Sequence, residues 1–281
     1  MPDSEQKKKV EAFRAMHVDW GGAVLLVNVW DVASARMIEE AGFPALATTS
    51  AGIAFAEGFP DGQKIPAERM MAAVARIAAA VWVPVTADVE AGYGQRPEEA
   101  ARTARNVIEA GAVGMNFEDA TGDADRPLTD FSQQVERIRA IREIADRLGV
   151  GLVLNARTDV YLAQVGESSG RYDEAVRRLA AYRDAGADCV FVPGLRDAAT
   201  IKRLVADLRC PVNILAVPGS PSVKELVELG VKRISLGSGP MRAAMGLLRR
   251  VADEVKTAGT YDQMGGAPSH AEMNQLMGRR N

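Results

Sequence analysis

Histidine and cysteine are scarce in this chain, two of each in 281 residues. His17 falls in a polar N-terminal helix and His270 in the tail, so neither a zinc site nor a Ser-His-Asp triad is expected. Cys189 opens an apolar run, Cys210 precedes Pro211, and no CxxC spacing occurs, so both cysteines are expected to pack, in a reducing, cytoplasmic compartment. A basic stripe is missing too: the net charge of -3 is spread in mixed-sign clusters, without interleaved aromatics, which removes nucleic acid as a partner. Lys7, Lys8 and Lys9 read as one solvated helix face. Long hydrophobic runs are absent. The longest, around Ala72 to Val85, is broken by Arg76 and is too short to span a bilayer, and no apolar segment follows the N-terminal lysines. What remains is ordinary globular composition, 47% hydrophobic and 25% charged, in a chain long enough for one large domain.

Short apolar runs alternate with longer amphipathic ones. Eight runs are strand-like: VLLVNVW, ALATTS, VPVTADVE, VGMNFED, GLVLNARTD, DCVFVPG, VNILAV and RISLGS. A helix-like segment follows each, and several of these stop on a glycine suited to a helix C-terminus, as in EEAGFPAL and RDAGADCVFV. Eight alternations with no break in composition predict one (β/α)8 TIM-type barrel over residues 1–281, with an N-terminal helix at 1–22 and a C-terminal tail at 260–281. A doubly wound open sheet is the alternative.

In either fold, function gathers where the strands end. Asp88 and Glu90 close the third strand, Glu118 and Asp119 the fourth, and Asn155, Arg157 and Asp159 the fifth. If the third run is extended to its end, Asp88 and Glu90 share a face, and two neighbouring carboxylates call for a cation or strong donors. Asp88, Glu90 and Glu118 are hard oxygen donors without imidazole or thiolate, which favours Mg2+ or Mn2+, with one acid binding directly and the others through water. Arg157 can offer a planar fork to a substrate carboxylate. A rim ion network is the competing explanation of this set, and a structural role is expected for Asp119 and Asp159. The small residues Ser50, Ala51 and Gly52 can present backbone N–H groups to an oxyanion. Asp61 is either a substrate contact or a turn initiator with Gly62, and Tyr93 either loop packing or a proton donor.

NVWDVASARMIEEAGFPALATTSAGIA, the PDG turn, TADVEAGYG, GMNFEDA and NARTD together resemble the isocitrate lyase and phosphoenolpyruvate mutase superfamily, in order from Asn28 to about Ser220. The resemblance implies a (β/α)8 barrel, Mg2+, and 2-oxo or 2-hydroxy acid substrates that react through a Mg-bound enolate. Carried over by position, it makes Asp88 the direct metal ligand, Glu90 and Glu118 its water-mediated supports, Arg157 the carboxylate clamp, and Ser50 with Ala51 the oxyanion donors. It also implies a homotetramer, a dimer of dimers, whose last helix is exchanged between subunits.

The departures narrow the chemistry. Lyases of this superfamily carry a Lys-Lys/Arg-Cys-Gly-His loop after the fourth strand; here the region reads EDATGDADRPLTDF, without Lys, Cys or His. The lysine and asparagine that the mutases use in that loop are missing as well, and Ala216 stands where the lyases have Glu. A carbon-carbon lyase or decarboxylase acting on a small carboxylic acid is expected, with decarboxylation of a 2-oxo diacid such as oxaloacetate least in need of a loop acid or base. P–C chemistry on phosphonopyruvate and a binding protein without turnover are the alternatives.

Overall fold

The computed structural model describes residues 4–18 and 21–279. Helix α1 (Ser4–Ala15) leads into β1 (Val24–Leu26) and β2 (Asn28–Val29), then α2 (Val32–Glu40), β3 (Leu46–Thr48), α3 (Ser50–Ala56) and α4 (Ala67–Ala79). Regular alternation follows: β4 (Val85–Asp88), α5 (Pro97–Glu109), β5 (Gly114–Glu118), α6 (Phe131–Leu148), β6 (Val153–Arg157), α7 (Arg171–Asp184), β7 (Cys189–Phe191), α8 (Ala198–Leu208), β8 (Val212–Leu215), α9 (Val223–Glu228), β9 (Arg233–Ser235) and α10 (Gly239–Thr257). A single 3-10 turn (Asp262–Met264) and α11 (His270–Gly278) end the chain.

All strand pairings are parallel, in the order β1-β9-β8-β7-β6-β5-β4-β3-β2. Only Val27 separates β1 from β2, so the two ends of the sheet belong to one run and the barrel closes on itself. This is the (β/α)8 TIM-type fold, and closure rules out the open sheet. The expected helix stops hold: Gly42, Gly111, Gly186 and Gly230 all take positive φ just past α2, α5, α7 and α9.

The N-terminal helix is shorter than the 1–22 span expected for it, and residues 1–3 and 19–20 of that span lie outside the described residues. It seals the end of the barrel where the strands begin. Gln6 donates to the carbonyls of Ile108 and Ala112 ahead of β5, at 2.8 and 3.0 Å. Arg14 pairs with Asp188 and donates to the Gly151 carbonyl, ahead of β7 and β6. The tail expected at 260–281 holds the 3-10 turn and α11, with 280–281 outside the described residues. Helix α11 docks on α2, where Arg36 donates to the Leu276 and Met277 carbonyls at 3.3 and 2.5 Å.

His17 corrects one sequence expectation. It is 2% exposed instead of lying on a polar helix, with Nδ1 donating to the Phe13 carbonyl at 2.8 Å and its ring edge-on to Phe13. Burial, with Arg233 nearby, lowers its pKa to about 3. The folded protein binds this proton more weakly than the unfolded chain, so the stability His17 contributes is fully present above about pH 6.5 and lost as pH falls through about 3. Relative to His17→Gln, the wild type should therefore lose up to about 5 kcal/mol between those limits in urea titrations. Parallel pH curves for the two proteins would refute this.

Candidate active site

Each strand end brings one part of the site. Strand β4 ends at Asp88, whose Oδ2 accepts from the Ser50 N–H at 3.0 Å and the Ser50 hydroxyl at 2.7 Å. Its Oδ1 is buried and has no partner. The strand does not continue to Glu90 as an extended third run would require: Glu90 has φ 51, a left-handed conformation that breaks strand alternation. Glu90 nevertheless turns inward, 5% exposed, with Oε1 buried and unpartnered. Burial, then Asp88 and Asp61, raise its pKa to about 7.

Gln63 holds that turn, and sequence reasoning missed it. Its N–H donates to Glu90 Oε2 at 2.7 Å, and its side-chain Oε1 accepts from the Tyr93 N–H at 2.6 Å. Gln63, Glu90 and Tyr93, with φ of 58, 51 and 54, thus form a linked set of left-handed non-glycine residues. Strain of this kind persists where the surroundings over-determine it. Arg137 adds to the constraint: it is buried over the Phe117 ring and donates to the carbonyls of Ala91 and Gly94. Gly92 is obligatory there, since a Cβ would stand 2.6 Å from Phe117 Cε2. The Tyr93 hydroxyl ends buried and unpartnered, its pKa raised by burial and then by Glu90 and Asp88. Gln63→Ala keeps the bond to Glu90 but strands the Tyr93 N–H. It should lower kcat about tenfold with a local cost of about 1–3 kcal/mol. Unchanged kcat would detach Gln63 from the site.

Glu118 ends β5 beside Arg157 at the end of β6, 2.6 Å from Oε2 to Nη1. Burial raises the Glu118 pKa, with Arg157 opposing. Asp159, expected to be structural, grips the Arg157 fork: Nε to Oδ1 at 2.5 Å and Nη2 to Oδ2 at 2.8 Å. Burial acts to lower the Arg157 pKa, but Glu118 and Asp159 raise it more. One N–H on each terminal nitrogen remains for a ligand. Asp119 does face away, bonded to Thr158, Tyr182 and Arg178. Asp61 stands at the solvent edge, its pKa raised by partial burial and by Asp88.

The expected oxyanion cradle is reduced. Ser50, Ala51 and Gly52 form the first turn of α3; the Ser50 N–H serves Asp88 and the Gly52 N–H goes to the Thr49 cap at 3.3 Å, which leaves Ala51.

Asp61, Asp88, Glu90, Glu118 and Asp159 act on one another electrostatically, with Arg157 as the cation among them. Two of these acids keep a buried oxygen without a donor. A hard cation fits such a set. Among the described residues no three His, Cys, Asp or Glu side chains converge on one point, which disfavours an all-protein cage and suits Mg2+ held by few protein oxygens and several waters.

Residues 13–256 match the family model of phosphoenolpyruvate phosphomutase. The chain belongs to the phosphoenolpyruvate phosphomutase family. A Burkholderia cenocepacia J2315 crystal structure is 40% identical at TM-score 0.93, covering 99% of this chain and 98% of that one. A Mycobacterium tuberculosis protein without assigned function is 35% identical over 80% of this chain and 81% of its own length. Oxaloacetate decarboxylase of Rhodopseudomonas palustris is 26% identical over 89% and 86%, and 2-methylisocitrate lyase of Escherichia coli 26% over 82% and 77%. A phosphonopyruvate hydrolase solved with oxalate and Mg2+ is 25% identical at TM-score 0.83, covering 96% and 95%. Membership places the chain among the lyases and mutases of the phosphoenolpyruvate mutase and isocitrate lyase superfamily, of a subclass these relatives leave unspecified.

Proposed function

We propose that this enzyme uses Mg2+ to cleave a C–C bond in a small 2-oxo or 2-hydroxy carboxylic acid, and that decarboxylation of a 2-oxo diacid such as oxaloacetate suits its site best. One observation carries this reading: Asp88 and Glu90, which act on one another electrostatically, each keep a buried oxygen without a partner, Arg157 is the cation that acts on Asp88, and the neighbouring loop offers no thiol, imidazole or amine. That loop folds on itself through the Ala120 and Leu128 bridge, with Arg126 near Asp123.

Asp88 would bind the ion directly, with Glu90 and Glu118 bonding its waters; when bound, Mg2+ supplies Lewis acidity toward the substrate carbonyl oxygen. Arg157 would orient the substrate carboxylate through its two remaining N–H groups, and the Ala51 N–H would serve the oxyanion. Cleavage of C3–C4 leaves its electron pair at C3, delocalised onto the C2 oxygen as an enolate, and releases CO2. Protonation at C3 then completes the reaction. Tyr93, kept protonated by burial among carboxylates, or a water molecule provides that proton.

Relatives that act on oxaloacetate, 2-methylisocitrate and phosphonopyruvate support the class and define the test. Purified enzyme with each acid, with and without Mg2+, should release CO2 and pyruvate from oxaloacetate only with the ion. Phosphate release from phosphonopyruvate alone would favour P–C chemistry, and no turnover at all a binding role.

A symmetric homo-oligomer, with a dimer of dimers as the assembly, is part of the same proposal. The exposed Leu247, Leu248 and Val255 of α10, with Tyr261 and Met264 beyond it, support it. A monomeric mass by light scattering would refute it.

A further inference from the structure

Arg233, at the start of β9, is fully buried inside the barrel and has no ion pair among the described residues. Its Nη2 donates to Asn116 Oδ1 at 3.0 Å, Nη1 lies 3.5 Å from His17 Nε2, and Nε has no partner. A buried guanidinium without a carboxylate is costly, and here burial lowers its pKa only to about 10, so it stays charged near neutrality. Its setting suggests a use for the charge. Asn116 is the register partner of Asp88 in the β4–β5 ladder and stands two residues before Glu118 on the same face. Asn155, which donates to Asn116 Oδ1 at 2.7 Å, stands likewise two residues before Arg157. Arg233 is therefore bonded to a residue that stands in register with Asp88 and one step below Glu118 and Arg157, and Asp88 is the carboxylate that acts on it.

We infer that Arg233 is a positioning residue that balances charge: from inside the barrel, through the Asn116 layer, it offsets the carboxylate excess, weakening the hold on the cation while strengthening the hold on the anionic substrate. This rests on the site reading above. Its signature is a pair of opposite changes. A charge about 10 Å away, at an effective dielectric constant of about 20, alters the binding of a unit charge by about tenfold and of a doubly charged ligand by about a hundredfold. A merely structural residue would loosen both ligands together.

The test is calorimetry of Mg2+ alone, and of oxalate at saturating Mg2+, on wild type, Arg233→Met and Arg233→Lys. Arg233→Met should bind Mg2+ about a hundredfold tighter and oxalate about a hundredfold weaker, and Arg233→Lys should keep both within about twofold of wild type. Arg233→Met should stay folded, since no ion pair is broken and Asn116 Oδ1 keeps its bond from Asn155, although His17 Nε2 loses its partner. If Arg233→Met is insoluble, Arg233→Gln, which retains a neutral donor toward Asn116, takes its place. Affinities that both fall, or that both stay unchanged, overturn the charge-balancing role and leave the site reading intact. Failure of wild type to bind Mg2+ overturns the site reading and this inference with it.

Discussion

Asp88→Ala should abolish turnover and Mg2+ binding together while the protein stays folded. The carboxylate is held at one oxygen by the Ser50 N–H and hydroxyl, so its other oxygen is fixed in place, buried and unpaired. Without the ion a 2-oxo acid loses its main electrophilic activation. A bound metal's Lewis acidity contributes several kcal/mol, so the loss in kcat/KM should be about a thousandfold or more. Glu90→Gln keeps a hydrogen-bonding group for a metal-bound water and should weaken Mg2+ by only about ten- to a hundredfold, as outer-shell changes do. Circular dichroism should show both variants folded. A folded Asp88→Ala enzyme with wild-type kcat/KM would return the acids to a rim network.

Arg157→Leu should give the second large effect, on stability as well as rate. Its guanidinium stands between Glu118 and Asp159, so its removal leaves two buried carboxylates without a counter-charge, at a cost of about 3–5 kcal/mol. Turnover should fall with it, because the substrate carboxylate loses its fork. A second change separates the two roles. Asp159→Asn on top of Arg157→Leu should return part of the lost stability in urea unfolding but none of the turnover. Recovery of both would mean that Arg157 only holds the rim together.

The barrel was legible in the sequence because it is written locally. Alternating short apolar runs, long amphipathic ones and glycine stops are properties of neighbouring residues, and Gly42, Gly111, Gly186 and Gly230 all serve as read. Asp88, Glu118 and Arg157 were legible for the same reason, as polar residues at strand ends. Strand periodicity failed at Glu90, since a left-handed residue after β4 carries no signal in period-two alternation, and its inward turn depends on Gln63, 27 residues away. Gln63 itself lies in a loop whose composition signals only a turn. The partner of Asp159 was not legible, because nothing in the local pattern shows that an arginine two residues earlier reaches its carboxylate. His17 and Arg233 meet across 216 residues of chain, through closure of the barrel on helix α1, and no local pattern encodes that meeting.

The central claim is that these carboxylates hold a divalent cation which in turn holds a 2-oxo acid. Isothermal titration of Mg2+ into apo wild type, followed by oxalate as a planar mimic of the enolate, tests it most directly. One Mg2+ should bind per chain, oxalate should bind only after it, and both signals should vanish in Asp88→Ala. Oxalate binding that is indifferent to Mg2+, or Mg2+ binding unchanged in Asp88→Ala, would contradict the account.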